Sequence, residues 1–144
     1  MHDELGEYAH ALAEHMHALA LDEASGNDSS RANTLRTIGI IYSKAGDPAQ
    51  GLTFYRESLA LSRRVDDVPG SARTLNNIGI NLKNLGRLDE SLAALGEALA
   101  LFRLDANSAG TAGALSNLGL TQFKRGDLAA AEASLREALA LARA

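Results

Sequence analysis

The chain contains no cysteine. Disulfides and thiolate metal sites are therefore excluded, and the composition fits a reducing compartment, so the expected location is the cytoplasm. Aromatic residues make up only 4% of the sequence and tryptophan is missing. Few aromatics beside abundant Ala and Leu suit packed helices better than sheets. There is no basic excess either: 14 Lys and Arg stand against 18 Asp and Glu, a formal net charge of -4. That balance gives no support to direct nucleic-acid binding, which shows a basic footprint. No apolar run approaches the roughly 20 residues of a membrane-spanning helix. Residues 1–20 carry Asp3, Glu4 and Glu7 with no basic n-region, so no signal peptide is expected there. No phosphate loop, nucleophile–base pair or metal motif occurs. The expectation is a protein that is not an enzyme and needs no cofactor.

What the sequence does contain is one stretch written several times. Residues 74–80 read Thr-Leu-Asn-Asn-Ile-Gly-Ile, followed by Gly86 and then Glu97-Ala98-Leu99-Ala100-Leu101. Forty residues earlier stand Thr34, Leu35, Ile38, Gly39, Gly46 and Glu57-Ser58-Leu59-Ala60-Leu61. Forty residues later stand Leu115, Leu118, Gly119, Gly126 and Glu137-Ala138-Leu139-Ala140-Leu141. Near the start only the second half returns, as Ala18-Leu19-Ala20-Leu21. A fixed period in this range marks a stacked repeat architecture.

Each repeat reads as two helices. Leu35, Ile38, Gly39 and Tyr42 fall at i, i+3, i+4 and i+7, one helical face, matched by Leu75, Ile78, Gly79 and Leu82. Leu115, Leu118 and Gly119 follow until Gln122 departs. Gly46, Gly86 and Gly126 come where a helix ends in a left-handed residue. Asp47, Pro48 and Gln50 form a helix start with a capping box, and Asp127 is expected to cap likewise. Arg87 is no cap, but Asp89 and Glu90 suit a first turn. Pro69 is expected to stop a helix near Asp67 or Val68, with residues 66–70 and 105–108 as turns. Helices are placed near 4–24, 31–45, 48–65, 71–85, 88–104, 110–125 and 128–143, about seven in all. Gly39, Gly79 and Gly119 each cost about 1 kcal/mol against Ala inside a helix, and repetition of that cost implies close packing. The second helices answer with two small columns: Ala11, Gly51, Ser91, Ala131, and Ala18, Ser58, Ala98, Ala138.

These residues resemble the tetratricopeptide repeat over nearly the whole chain, with a period of 40 in place of the usual 34 or so. The longer unit is similar to repeats of kinesin light chains and of bacterial regulators. The resemblance implies an all-α fold, a right-handed superhelical stack of antiparallel helix hairpins. It divides one domain, 1–144, into a half repeat (1–30) and repeats at 31–70, 71–109 and 110–144. It also implies a protein- or peptide-binding scaffold, expected to be part of a larger bacterial regulatory or signalling protein. The family's carboxylate clamp does not carry over, because Ile40, Ile80 and Leu120 stand where it needs Asn.

The concave face of such a stack is the expected ligand surface. Its candidate residues are Arg36, Ile40, Arg73, Asn76, Asn77, Ile80, Lys83, Ser116, Asn117, Leu120 and Lys124. The cations suit a protein or peptide with acidic groups, Asn suits a peptide backbone, and Ile and Leu suit apolar side chains. The alternative is a self-associating unit, a homodimer through the 4–24 helix with Ala11, Leu12, His15, Met16, Ala18 and Leu19 at the contact. Leu128, Leu135 and Leu139 should be exposed at the other end, as in a piece cut from a longer array. His2, His10, His15 and His17 lack a completing carboxylate for a metal site; His15 is expected to pack, and His2 and His10 to lie on the surface. Recurring Glu57, Glu97 and Glu137 are expected near Arg or helix caps.

Overall fold

The computed structural model describes residues 2–143, with side chains from residue 4. Seven helices follow one another among these residues: α1 (His2–Ser25), α2 (Asp28–Lys44), α3 (Pro48–Arg64), α4 (Val68–Asn84), α5 (Leu88–Leu104), α6 (Ser108–Arg125) and α7 (Leu128–Arg143). No described residue is in a strand. Each helix packs antiparallel on the next, and α4 additionally touches both α2 and α6. The backbones of the odd-numbered helices come close only to their neighbours in sequence, and α3, α5 and α7 meet one another through long side chains, Arg63 with Glu97 and Arg103 with Glu137. The even helices therefore crowd together on the inner side of the stack and the odd helices splay on the outer side.

Every junction has the same construction, a short turn with one left-handed residue followed by an N-cap. Gly46, Gly86 and Gly126 take φ of 90°, 79° and 95°, as their positions predict. Of the alternate junctions, the α1–α2 turn uses Gly26 (φ 70°), while the other two use Asp66 (φ 55°) and Ala106 (φ 51°), which lack glycine's freedom. Asp47 caps α3, its carboxylate accepting from Gln50 N–H at 3.1 Å. The return half of the expected capping box has no role, since Asp47 N–H already donates to Tyr42 O at 2.9 Å. Asp127, also expected to cap, has its carboxylate 3.4 Å from Arg125 Nη1.

Three helix starts differ from the sequence expectation. Pro69 does not stop a helix; it sits in the first turn of α4, where the missing N–H is one that has no intrahelical partner anyway. Asp67 is the N-cap, accepting from Gly70 N–H at 3.0 Å, so α4 begins at residue 68 instead of 71. Asn27 and Asn107 do the same through Ser30 N–H (3.1 Å) and Gly110 N–H (2.8 Å), moving the starts of α2 and α6 to 28 and 108.

Within each hairpin the mid-helix glycines receive a large side chain. A Cβ on Gly39 would lie 2.6 Å from the Tyr55 ring, one on Gly79 2.6 Å from Leu95 Cδ2, and one on Gly119 2.7 Å from Leu135 Cγ. The small column of the odd helices lies alongside: Ser91 Oγ donates to Gly79 O at 2.7 Å, and a Cβ on Gly51 would be 2.8 Å from Gly39 O. Ser58 in the second small column donates to Ala32 O at 2.7 Å. Gln122, the position that broke the apolar column, accepts from Ser134 Oγ at 2.8 Å. One core runs through the stack from Leu52 and Tyr55 past Leu75, Ile78 and Leu82 to Phe102 and Leu115. A smaller one joins Ala32, Leu35 and Leu61 to Leu19 of α1. Replacing Gly79 with Leu places a side chain where Leu95 already is. The expected loss is about 1–3 kcal/mol or more, read as a lower melting temperature; wild-type melting would contradict the packing.

Candidate functional site

The inner face is built from α2, α4 and α6. Arg36, Ile40, Asn76, Asn77, Ile80, Lys83, Ser116 and Asn117 are half-buried on it, while Arg73, Leu120 and Lys124 are exposed. Helix-to-helix bonds fix several of them. Asn117 Nδ2 donates to Asn76 Oδ1 at 3.1 Å, bridging α6 and α4. Arg36 donates to Asn33 Oδ1 at 2.6 Å and to Thr74 Oγ1 at 3.4 Å, bridging α2 and α4. Arg73 Nε donates to Pro69 O at 3.3 Å.

Ile40, Asn77 and Ile80 meet in a cleft of about 330 Å³ between α2 and α4. Ser43, Lys44, Tyr55, Asn81 and Asn84 complete its lining. Tyr55 and Asn81 escaped the sequence reading. Asn81 is only 3% exposed and donates to Ser43 Oγ at 2.8 Å and to Pro48 O at 3.2 Å, tying α4 to the α2–α3 hairpin. Tyr55 had a visible signal, being the one aromatic in the column of His15, Leu95 and Leu135. Ser116 and Leu120 do not join this cleft.

Twelve of the 14 Lys and Arg residues fall into two groups, with Arg56 of α3 and Arg143 of α7 in neither. Arg31, Arg63, Arg64, Arg87, Arg103, Arg125 and Arg136 each pair with a carboxylate. Two of these pairs recur in register, Arg63 with Glu97 and Arg103 with Glu137, so two of the repeated glutamates do stand beside an arginine. On the inner face, by contrast, Arg36, Lys44, Arg73, Lys83 and Lys124 have no carboxylate partner among the described residues. Burial, then repulsion from Arg73, lowers the pKa of Arg36, with Asp67 and Tyr55 opposing. Burial, then repulsion from Lys124, lowers that of Lys83. Positive charge is thus concentrated here with no carboxylate in ion-pair contact, Asp67 acting on Arg36 only from a distance.

Elsewhere His10 lies 3.1 Å from Glu14, and His15 Nδ1 is 2.8 Å from Ala11 O with the ring half-buried. The side chain of His2 lies outside the described residues. Among the described residues no three His, Asp or Glu side chains converge, and no helix is long and apolar enough to cross a membrane.

Antiparallel hairpins stacked with their first helices inward define a helical-repeat solenoid. The tetratricopeptide repeat pattern matches residues 2–64, 30–103 and 70–144, and the chain belongs to that family. Its members are in general protein-interaction scaffolds. The structure is similar to that of BtubC (BKLC) from P. vanneervenii, with TM-score 0.87 and 20% identity over 96% of this chain and 57% of that one. The chain thus spans little more than half the length of that protein. It is also similar to the TPR domain of Arabidopsis FLU (TM-score 0.75, 17% identity, 78% of this chain and 95% of that one). A Podosopora anserina protein of kinesin-light-chain type, with nearly identical TPR-like repeats, gives TM-score 0.76 at 13% identity over 94% of this chain and 67% of that one. No curated protein matches. These likenesses agree with the right-handed stack of hairpins expected from the sequence.

Repulsion between Lys83 and Lys124 is directly measurable. In Lys124→Ala the pKa of Lys83, followed by NMR titration of its side chain, should rise part of the way towards the ordinary lysine value. Only part returns because burial is the larger cause. An unchanged Lys83 would mean that the two ammonium groups do not share a surface.

Proposed function

We propose that the inner face is a binding groove for a protein or peptide segment carrying acidic groups. The observation that carries this reading is the segregation of charge: the five inner cations lack carboxylates in a chain with more acids than bases. Carboxylates of a ligand would meet Arg36, Arg73, Lys83 and Lys124, offsetting the burial and, second to it, the mutual repulsion that lower the pKa values of Arg36 and Lys83. The α2–α4 cleft, with Ile40, Tyr55 and Ile80, accepts an apolar side chain. Asn77, which has no hydrogen-bond partner among the described side chains, offers both a donor and an acceptor to a peptide backbone. Asn76 and Asn117 are bound to each other and brace the floor. Ser116, Leu120 and Lys124 extend the same surface towards α7.

A cytoplasmic setting, within a larger bacterial regulatory or signalling protein, belongs to the same proposal. It rests on the resemblance of the 40-residue unit and on the lack of cysteine. No catalytic role is proposed.

The test uses the immobilised chain to capture its partner from extract of the source cell, followed by affinity measurement with the purified partner. Arg73→Glu combined with Asn77→Ala should weaken binding by about tenfold or more, with the helical circular dichroism unchanged. Binding to the wild type should fall with salt, because exposed charges are screened. Full affinity in the folded double variant would move the site off this face.

A further inference from the structure

Two clefts lie end to end on the outer side of the stack, between α3 and α5 with α4 as their floor. The first, about 410 Å³, has Leu59, Leu75 and Ile78 beneath it, small walls at Ala93 and Ala94, and Arg56 on its rim. The second, about 190 Å³, sits at the α3–α4 turn among Asp66, Asp67, Ser71 and Leu101. Arg63 and Glu97 line both and pair with each other across the boundary. Arg64 is likewise engaged, 3.6 Å from Asp28. The charges left over are therefore Asp66 and Asp67 at one end of this groove and Arg56 at the other, none of them in an ion pair among the described residues.

The repeats show that the fold does not require these charges. The equivalent cleft at the α5–α6 turn keeps the frame, with Arg103, Glu137 and Leu141 for Arg63, Glu97 and Leu101, but it has Ala106 and Asn107 for Asp66 and Asp67. At the α1–α2 turn the same two positions are Gly26 and Asn27. The left-handed residue is thus neutral at both other turns, and Asn27 and Asn107 cap their helices as Asp67 does. Asn and Asp serve about equally well as N-caps, so the acid adds nothing to the cap. Arg56 gives way to Gly96 one repeat on. The hydroxyls differ too. Thr111 Oγ1 donates to Asn107 O at 2.8 Å. Its counterpart Ser71, only 5% exposed, has no side-chain hydrogen bond among the described residues. A hydroxyl so buried calls for a partner, and Ser71 lines the cleft from which one can come.

We propose that this outer groove binds a peptide segment with a basic and an acidic side chain separated by apolar residues. The basic group sits against Asp66 and Asp67 and donates to Ser71 Oγ, the carboxylate meets Arg56, and the apolar side chains rest on Leu59, Leu75 and Ile78. Arg56 and Asp66 lie about 15 Å apart along α3 and its last turn. That is the reach of about four to five residues of extended chain. The site is separate from the inner face and differs from it in demanding a cation at one end.

NMR titration of the whole, isotope-labelled chain with two pools of short blocked peptides tests this. One pool carries Lys and Glu about four or five positions apart, in either order, with Leu, Val or Ala between them. The other has Gln at both charged positions. The charged pool should shift the backbone amide signals of Ser71, Ala94 and Leu101 and bind about fivefold or more tightly than the Gln pool. Asp66→Ala combined with Asp67→Asn installs the residues of the next turn, so the cap and the helical circular dichroism should survive while binding of the charged pool weakens by a similar factor. Arg56→Ala should also weaken it, and if the double variant loses its fold, this change at an exposed helix position decides the matter. Arg73→Glu, on the inner face, should leave it unchanged. A charged pool that binds no better than the Gln pool would overturn the proposal. So would shifts confined to the inner face, or full affinity in the folded Asp66 and Asp67 double variant.

Discussion

The contact between a glycine of one helix and a large side chain of its hairpin partner sets the dimensions of the whole stack. Leu95 occupies the volume in which a Gly79 Cβ would sit, and Tyr55 and Leu135 stand in the same relation to Gly39 and Gly119. Each glycine costs its helix about 1 kcal/mol. Burying a Leu or Tyr side chain returns about 1.5–3 kcal/mol, so the exchange is favourable. It also fixes the distance between helix axes, because the backbone of one helix is the surface on which the other rests. Ser91 adds a bond to the Gly79 carbonyl, which only a close approach permits.

From that spacing the rest of the architecture follows. Helices of similar length joined by short left-handed turns give units that differ little, so each hairpin meets the next in the same way. Arg63 reaches Glu97 and Arg103 reaches Glu137 across successive hairpins in equivalent positions. Such exposed pairs are worth little energetically, and their value is in matching register. On the opposite side α2, α4 and α6 touch one another directly, which leaves their outward residues as a continuous surface. Unpaired cations there are held in place by Asn33, Thr74 and the Pro69 carbonyl, not by carboxylates. A surface arranged in this way retains its charge for something outside the chain.

The repeat, the helix pairing and the role of the glycines were legible because each is a periodic property of single positions. Three helix starts were not. Pro69 reads equally as a terminator or as a first-turn residue, and the choice turns on Asp67, whose capping geometry depends on backbone angles that no residue type fixes alone. Asn27 and Asn107 were hidden for the same reason. At the candidate site, the members that share a helix face were readable, including Asn76, Asn77 and Ile80. Tyr55 and Asn81 were not, because they enter the α2–α4 cleft from a different helix and a different face. The separation of paired from unpaired cations was also out of reach, since it depends on which residues 34 positions apart face each other across hairpins.

A double-mutant cycle at the central hairpin is the most direct measurement of the account. Gly79→Ala, Leu95→Ala and the double variant are compared by denaturant unfolding. If Gly79 is present to receive Leu95, trimming Leu95 vacates the space that the new methyl group needs. The double variant is then less destabilised than the sum of the two single changes, by a coupling of about 0.5–3 kcal/mol. Strict additivity of the two changes would show that the glycine and the leucine do not share that space, and would contradict the account.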